Sequence, residues 1–380
     1  MKLLNENLLA ENIETIAKYD ISHNKVFGSA YFVFQENHLA FEKCYGTCSM
    51  LSGDRITRNT LFRLASMTKP VTAVATLMLV DRGLLSLDDA LEKYLPELEN
   101  VRIIDDAGND CGPPKIRPTI RTVLNHTSGI GSSEYKMMHM GNDDKKTLDT
   151  SIAFLVKEGL DFEPSTMQRY SGMGAFDVLT RIIEIVSKRN YLEFLKEEIF
   201  DPCNMVDTTF EPSFEQLERL VCMHNLVGGK SVGHRMHEGC IYEDFPWEHY
   251  LGGAGLVSTL QDYCNFAKMM LNRGRFEKRQ LLREDTFNML CTPQVSSNIM
   301  PGAERWGLGV RVITDETYPF LPVGAFGWSG AYGSHFWVDQ TNRIFAVFMK
   351  NSKYDGGSGN ESATNFEKIV YSSFESKRQI

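Results

Sequence analysis

Apolar residues recur along this chain with two different periods, and the period changes twice. Leu8, Ile13 and Ile16 fall on one face of a predicted N-terminal helix. Val26 to Phe34 and Leu39 to Tyr45 are β-rich runs separated by Glu36-Asn37, which predicts a hairpin. Helical spacing then takes over. Met67 to Leu79, Ile120 to Asn125, Leu148 to Lys157, Phe176 to Val186, Tyr191 to Phe200 and Tyr263 to Leu271 each gather their apolar residues on one face. Beyond Trp306 the texture returns to strands, at Gly307 to Ile313, Ala325 to Trp328, Ser334 to Val338 and Ile344 to Lys350, before a last helical stretch from Ala363 to Phe374. Strands at both ends around a helical middle predict an α+β fold, with one antiparallel sheet built from both ends of the chain, flanked by terminal helices, and a mainly helical lobe inserted. The expected sheet lobe is 1–64 plus 297–380, the helical lobe 65–296, and the cleft between them the place for chemistry.

Composition narrows the function classes. The chain has 380 residues, 42% apolar and 23% charged, enough to bury a large core and too apolar for disorder. Forty Lys and Arg against forty-nine Asp and Glu leave a net charge of −9, and no local basic cluster argues for nucleic acid as a partner. The longest nearly apolar run, Val71 to Val80, falls short of the roughly 20 residues that cross a bilayer. Met1-Lys2-Leu3-Leu4-Asn5-Glu6 turns polar before an export signal can build, so a cytoplasmic enzyme is expected. Eight cysteines are too dilute for a disulfide framework. His234, His237 and Cys240, with His224 upstream, form the one cluster that hints at zinc. No paired Cys-x2-Cys supports it, and neither metal nor cofactor is expected.

Ser-x-x-Lys occurs at Ser22/Lys25, Ser66/Lys69 and Ser133/Lys136. The first and last lie in polar stretches, whereas Ser66 opens the apolar helix carrying Met67, Val71, Val74 and Met78. Residues i and i+3 stack along a helix, so Lys69 would hold its amine beside the Ser66 hydroxyl. Pro70 is tolerated because first-turn amides have no intrahelical partner. The helix start also offers N–H groups and a positive dipole end to an oxyanion. A lysine whose pKa burial lowers toward neutrality can take the proton of such a serine. The motif alone favours an N-cap serine followed by a lysine whose stem packs on the core.

The surrounding residues favour the first reading. Phe62-Arg63-Leu64-Ala65-Ser66-Met67-Thr68-Lys69-Pro70 resembles the nucleophile motif of the serine β-lactamase and penicillin-binding-protein superfamily. Leu124-Asn125-His126-Thr127-Ser128-Gly129-Ile130, Phe162-Glu163-Pro164 with Arg169-Tyr170-Ser171, Gly252-Gly253-Ala254-Gly255-Leu256, and Gly327-Trp328-Ser329-Gly330 running into Phe336-Trp337-Val338-Asp339 resemble later landmarks in the same order. The resemblance spans about Val26 to Asn351. It implies the β-lactamase/DD-peptidase-like fold, Ser66 as the acylated nucleophile, Lys69 as its base and Tyr170 as the phenol that shuttles protons. It also implies an oxyanion hole made by the backbone N–H groups of Ser66 and Ala331, with Trp328, Ser329, Gly330 and Gly172 along the substrate. On its residues alone, Tyr170 reads as a packing residue.

Two positions depart from the superfamily pattern. Gly172 stands where an amide side chain commonly follows the tyrosine by two residues, and Trp328 stands where the third motif commonly begins with a cation. A cation there pairs with a substrate carboxylate, and tryptophan offers apolar area and one N–H. Both departures resemble the esterase and acyltransferase branches. Rival signals fail: Gly228-Gly229-Lys230-Ser231 lacks the upstream glycine of a phosphate loop, and Gly253-Ala254-Gly255 lacks the third glycine of a dinucleotide fingerprint. The sequence thus predicts a serine hydrolase that forms an acyl-serine from a small neutral ester. The alternatives are an acyltransferase, a D-amino-acid peptidase or weak β-lactamase, and a non-catalytic binding homologue on the same scaffold. The expected partner is a small acyl substrate, with the oligomeric state open.

Overall fold

A computed structural model describes residues 2–49, 53–132, 147–227, 230–234, 249–356 and 359–374. Long runs of β-branched and aromatic residues build its main sheet. The strands are β1 (Gly28–Gln35), β2 (His38–Gly46), β3 (Glu304–Trp306), β4 (Arg311–Ile313), β5 (Phe326–Ser329), β6 (His335–Asp339) and β7 (Ile344–Met349). They pair antiparallel in the order β3-β4-β5-β6-β7-β1-β2, so β1, from the first part of the chain, docks on β7, from the last, with Ala30 opposite Met349 and Gln35 opposite Ile344. Every residue of β6 and β7 is buried, because both faces of the sheet are covered.

Strand alternation divides the side chains between two cores. On one face Tyr31, Val33, Trp337, Ala346 and Phe348 pack against the terminal helices α1 (Glu6–Ser22) and α5 (Glu361–Ser372). On the other, Phe32, Phe326, Phe336, Val338 and Val347 join the core of the helical part. That part is built around α2 (Thr68–Asp81), α3 (Gly174–Ser187) and α4 (Leu260–Leu271). Residues 68–79 of α2 are all buried, which fits its near-continuous apolar sequence and places it centrally. A short ladder of Leu61–Arg63 with Val257–Thr259 holds the start of α2 against the start of α4.

Two predicted elements differ. Gly307 to Ile313 is not one strand: Glu304–Trp306 and Arg311–Ile313 form a hairpin with a tight turn between them. Leu308 and Val310 are apolar because the turn is buried. Gly309 there adopts φ +76°, donates to Leu124 O, and leaves only 2.5 Å between an added Cβ and Ala73 Cβ of α2. The predicted helix from Tyr191 to Phe200 runs as α-helix to Leu195 and as a π turn over Lys196–Phe200. The Ser133/Lys136 pair, His237 and Cys240 lie outside the described residues. Among the described residues no helix is long and apolar enough to cross a membrane.

Candidate active site

Ser66 sits in a 3₁₀ turn, Ala65–Met67, that runs straight into α2. Ala65 before it adopts φ +46°, a left-handed conformation that costs a non-glycine residue energy and recurs where a functional side chain must be aimed. Leu64 N–H donates to Leu256 O at 2.8 Å, which fixes the strained step from outside. One turn on, Lys69 is fully buried. Its Nζ donates to Ser66 Oγ at 3.4 Å, to Gly172 O at 2.5 Å and to Gly253 O at 2.9 Å, so each of the three protons of an ammonium has an acceptor. The Tyr170 phenol donates to Ser66 Oγ at 2.7 Å. Its ring centroid is 4.9 Å from Lys69 Nζ.

Aromatic rings hold the phenol. Trp306 stacks on Tyr170 at 5.8 Å with 14° between the planes, Trp328 lies 5.4 Å away, and His126 lies 4.7 Å away. His126 Nδ1 accepts from Ser171 N–H at 3.3 Å. Burial and then the nearby Lys69 charge push the His126 pKa well below the usual histidine range, so the ring is a neutral spacer at physiological pH. The indole Nε1 groups of Trp306 and Trp328 are buried without a hydrogen-bond acceptor among the described residues.

Of the residues singled out in the sequence, Ser66, Lys69 and Tyr170 converge within hydrogen-bond reach. Gly172 contributes its carbonyl to Lys69 rather than a side chain to a ligand. Ala331 is exposed, two residues after β5 at the mouth of the cleft, and among the described residues its N–H has no backbone acceptor. Trp328 faces the trio. Ser329, expected along the substrate, points the other way, because successive side chains of a strand alternate. Its Oγ is 2.7 Å from His335 Nδ1, and His335 Nε2 is 3.0 Å from Glu367 on α5. Arg311 and the Tyr318 phenol complete that buried network on Glu367, each at 2.8 Å. Burial raises the Glu367 pKa, yet the bonds from His335 and Arg311 outweigh it and hold the carboxyl down at about 2. Gly330 is required by the protein's own backbone: an added Cβ would lie 2.2 Å from Leu64 O. The other Ser-x-x-Lys pair that is described, Ser22/Lys25, is taken up in surface bonds, with Lys25 Nζ on Glu361 at 2.7 Å.

A cleft of about 220 Å³ opens beside Ser66. Ala65, Met173, Leu251, Ala254, Leu256 and Tyr332 supply most of its wall, so it suits an apolar group. Sequence reasoning missed two contributors. Trp306 carried no periodic signal, and Gly253 acts through a backbone carbonyl that no side-chain pattern reports. Chemically, a hydroxyl with a phenol at 2.7 Å, an amine at 3.4 Å and backbone amides nearby can be acylated and can exchange protons without a metal ligand set. Among the described residues no group of His, Cys, Asp and Glu is arranged to hold a metal ion.

The family model described as Beta-lactamase matches residues 9–368. An uncharacterized protein of Mycobacterium tuberculosis is 29% identical over 348 residues, covering 85% of each chain. Esterase EstB of Burkholderia gladioli is 25% identical over 380 residues, covering 92% of each. Among solved structures, EstCE1, described as a hydrolase with promiscuous acyltransferase activity, superposes with a TM-score of 0.83 at 21% identity, covering 96% of this chain and 99% of its own.

Proposed function

Because this chain belongs to the β-lactamase family and is a serine hydrolase, we propose that it is a carboxylesterase acting on small neutral esters through an acyl-Ser66 intermediate. Ser66 Oγ attacks the ester carbonyl as its proton passes to the Tyr170 oxygen, the nearer of the two groups, which takes it as a phenolate whose own proton has already left to solvent. The 2.7 Å bond runs from the phenol to Ser66 Oγ when the proton is on Tyr170, and from Ser66 to the phenolate when it is on the serine. Lys69, its protons directed at Gly172 O, Gly253 O and Ser66 Oγ, supplies positive charge beside the phenol that carries the transferred proton. The tetrahedral oxyanion sits on the N–H groups of Ser66 and Ala331. Tyr170 then returns the proton to the leaving alkoxide, and a water molecule, deprotonated by the same phenol, releases the acid and restores Ser66.

The observation that carries the preference for a neutral ester is Trp328, whose indole lies 5.4 Å from Tyr170 where a cation would receive a substrate carboxylate. A carboxylate buried there unpaired would be costly. EstB being an esterase, and EstCE1 being described as a hydrolase, support the same choice. The test is intact mass of the protein after incubation with p-nitrophenyl esters, a fluorophosphonate and a penicillin, with turnover of each measured alongside. Single labelling of wild type, none of Ser66→Ala, and faster turnover of the neutral esters are expected. Faster turnover of the penicillin overturns the reading.

A further inference from the structure

The Gly252-Gly253 pair, left without a role by the acyl-transfer steps, is held by side chains from two helices, and the bonds lead to Lys69. Gly252 N–H donates to Asp177 Oδ1 of α3 at 3.0 Å. Gly252 O accepts from Thr72 Oγ1 of α2 at 2.6 Å, and that hydroxyl also meets the Tyr191 phenol at 2.7 Å. One residue on, Gly253 O accepts from Lys69 Nζ at 2.9 Å. Thr72 and Asp177 are fully buried, and the second Asp177 oxygen is 3.3 Å from His249 Nε2.

The space around the pair admits backbone only. A Cβ on Gly252 would lie 2.3 Å from both Phe176 O and Thr180 Oγ1, and one on Gly253 would lie 3.0 Å from Lys69 Nζ and from Gly172 O. The segment therefore enters between α2 and α3 as bare peptide, with both peptide groups of Gly252 bonded to buried side chains.

We infer that Thr72 and Asp177 are positioning residues for Lys69. Neither touches Ser66 or the cleft. They fix the two peptide groups that lead into Gly253 O, and that carbonyl, with Gly172 O, decides where the amine of a four-carbon, freely rotating side chain sits relative to Ser66 Oγ. Misplacement of a reacting group by about 1 Å can cost on the order of 10²-fold in rate. A lysine without a carboxylate among its hydrogen-bond partners depends on these carbonyls for its placement, and so on what holds them.

The inference rests on the roles proposed for Ser66 and Lys69, and the experiment separates the two. The rate of fluorophosphonate labelling and the kcat and KM for p-nitrophenyl butyrate are measured for Thr72→Val, Asp177→Ala and Asp177→Asn, each alone and combined with Lys69→Ala, with thermal melting followed by circular dichroism. Thr72→Val and Asp177→Ala should slow labelling and kcat at least about tenfold, with KM held within about twofold. Asp177→Asn keeps an oxygen for Gly252 N–H and should stay within about threefold of wild type. In the Lys69→Ala background neither Thr72→Val nor Asp177→Ala should slow labelling further, since no amine remains to be placed. Thr72→Val exchanges a hydroxyl for a methyl, and it carries the test if Asp177→Ala fails to fold. Wild-type rates for Thr72→Val, or an equal fall with and without Lys69, overturn the inference while leaving Ser66 as nucleophile. Labelling that survives Ser66→Ala removes the underlying reading, and the inference with it.

Discussion

Tyr170 Oη lies 2.7 Å from Ser66 Oγ, closer than Lys69 Nζ at 3.4 Å, and the two groups are held in different ways. Lys69 is tied to two backbone carbonyls in a fully buried site, whereas Tyr170 is clasped through its ring by Trp306, Trp328 and His126 and has its oxygen directed at the serine. In the mechanism proposed above, the amine supplies a charge held in place and the phenol carries the proton. That division keeps Tyr170 as the proton shuttle that the resemblance implied, and proposes for Lys69, there the base of Ser66, a charge beside it.

Removing either group should therefore be costly, and removing both little worse. Loss of a positioned general base typically costs about 10²–10⁴-fold, so Tyr170→Phe and Lys69→Ala should each fall by that order in kcat for a p-nitrophenyl ester. The double variant should lie close to the worse single one, because the two act as one unit. Near-wild-type turnover by Tyr170→Phe would reduce the phenol to packing.

Trp328 is the residue proposed to set the charge of the substrate. Trp328→Lys should raise the ratio of kcat/KM for benzylpenicillin over that for a neutral ester, by introducing a cation where a carboxylate would lie. The gain should be modest, since the surroundings built for an indole do not fix an ammonium. An unchanged or reversed ratio would show that something other than the missing cation excludes anionic substrates.

The strands were the most legible part of the fold. β5, β6 and β7 appear in the sequence as Ala325–Trp328, Ser334–Val338 and Ile344–Lys350, within a residue or so of their ends, because strands covered on both faces are continuous apolar runs. The hairpin at Gly307 was misread for the same reason turned around: Leu308 and Val310 are apolar because the turn packs under α2, and a burial signal of tertiary origin mimics a strand. In the site, side-chain chemistry was legible and backbone chemistry was not. Ser66, Lys69 and Tyr170 carry their functions in their side chains. Gly172 and Gly253 act through carbonyls that every residue possesses. The face of Ser329 follows from alternation once Trp328 is known to pack on Tyr170 and Trp306, which periodicity in so short a strand does not decide.

Glu367 provides a pH-dependent test of the network behind that strand. Its folded pKa, about 2, lies below the ordinary 4.5, so the stability it contributes is present above about 4.5 and is lost as pH falls toward 2. Glu367→Gln should be strongly destabilising at pH 7, on the order of 3–5 kcal/mol, because it leaves Arg311 and His335 buried beside a neutral group. The gap between wild type and variant in urea unfolding should narrow steadily from pH 5 to pH 3. Ser329→Ala, which removes one hydroxyl on the same side, should cost about 1 kcal/mol and leave KM for esters unchanged. A gap that stays constant with pH, or a large rise in KM for Ser329→Ala, would contradict this placement.

The cleft beside Ser66 makes the acyl chain the part of the substrate that is read by burial. Met173, Leu251 and Ala254 pack as one apolar cluster in its wall, with Leu256 and Ala65 adjoining, and the space is about 220 Å³. Each methylene moved from water into such a wall is worth about 0.8 kcal/mol, or about fourfold in an equilibrium constant. For p-nitrophenyl esters, kcat/KM should climb by up to that factor per added carbon from acetate upward, then level once the cavity is filled. Filling it from the protein side should move the break. Ala254→Phe, in the wall of the cleft one residue beyond Gly253, should lower turnover of the acetate ester less than that of longer esters, and the climb should stop at a shorter chain. A flat chain-length series in wild type would mean that the acyl group lies elsewhere. A series whose break does not shift in Ala254→Phe would mean that it enters by another wall, away from Met173 and Leu251.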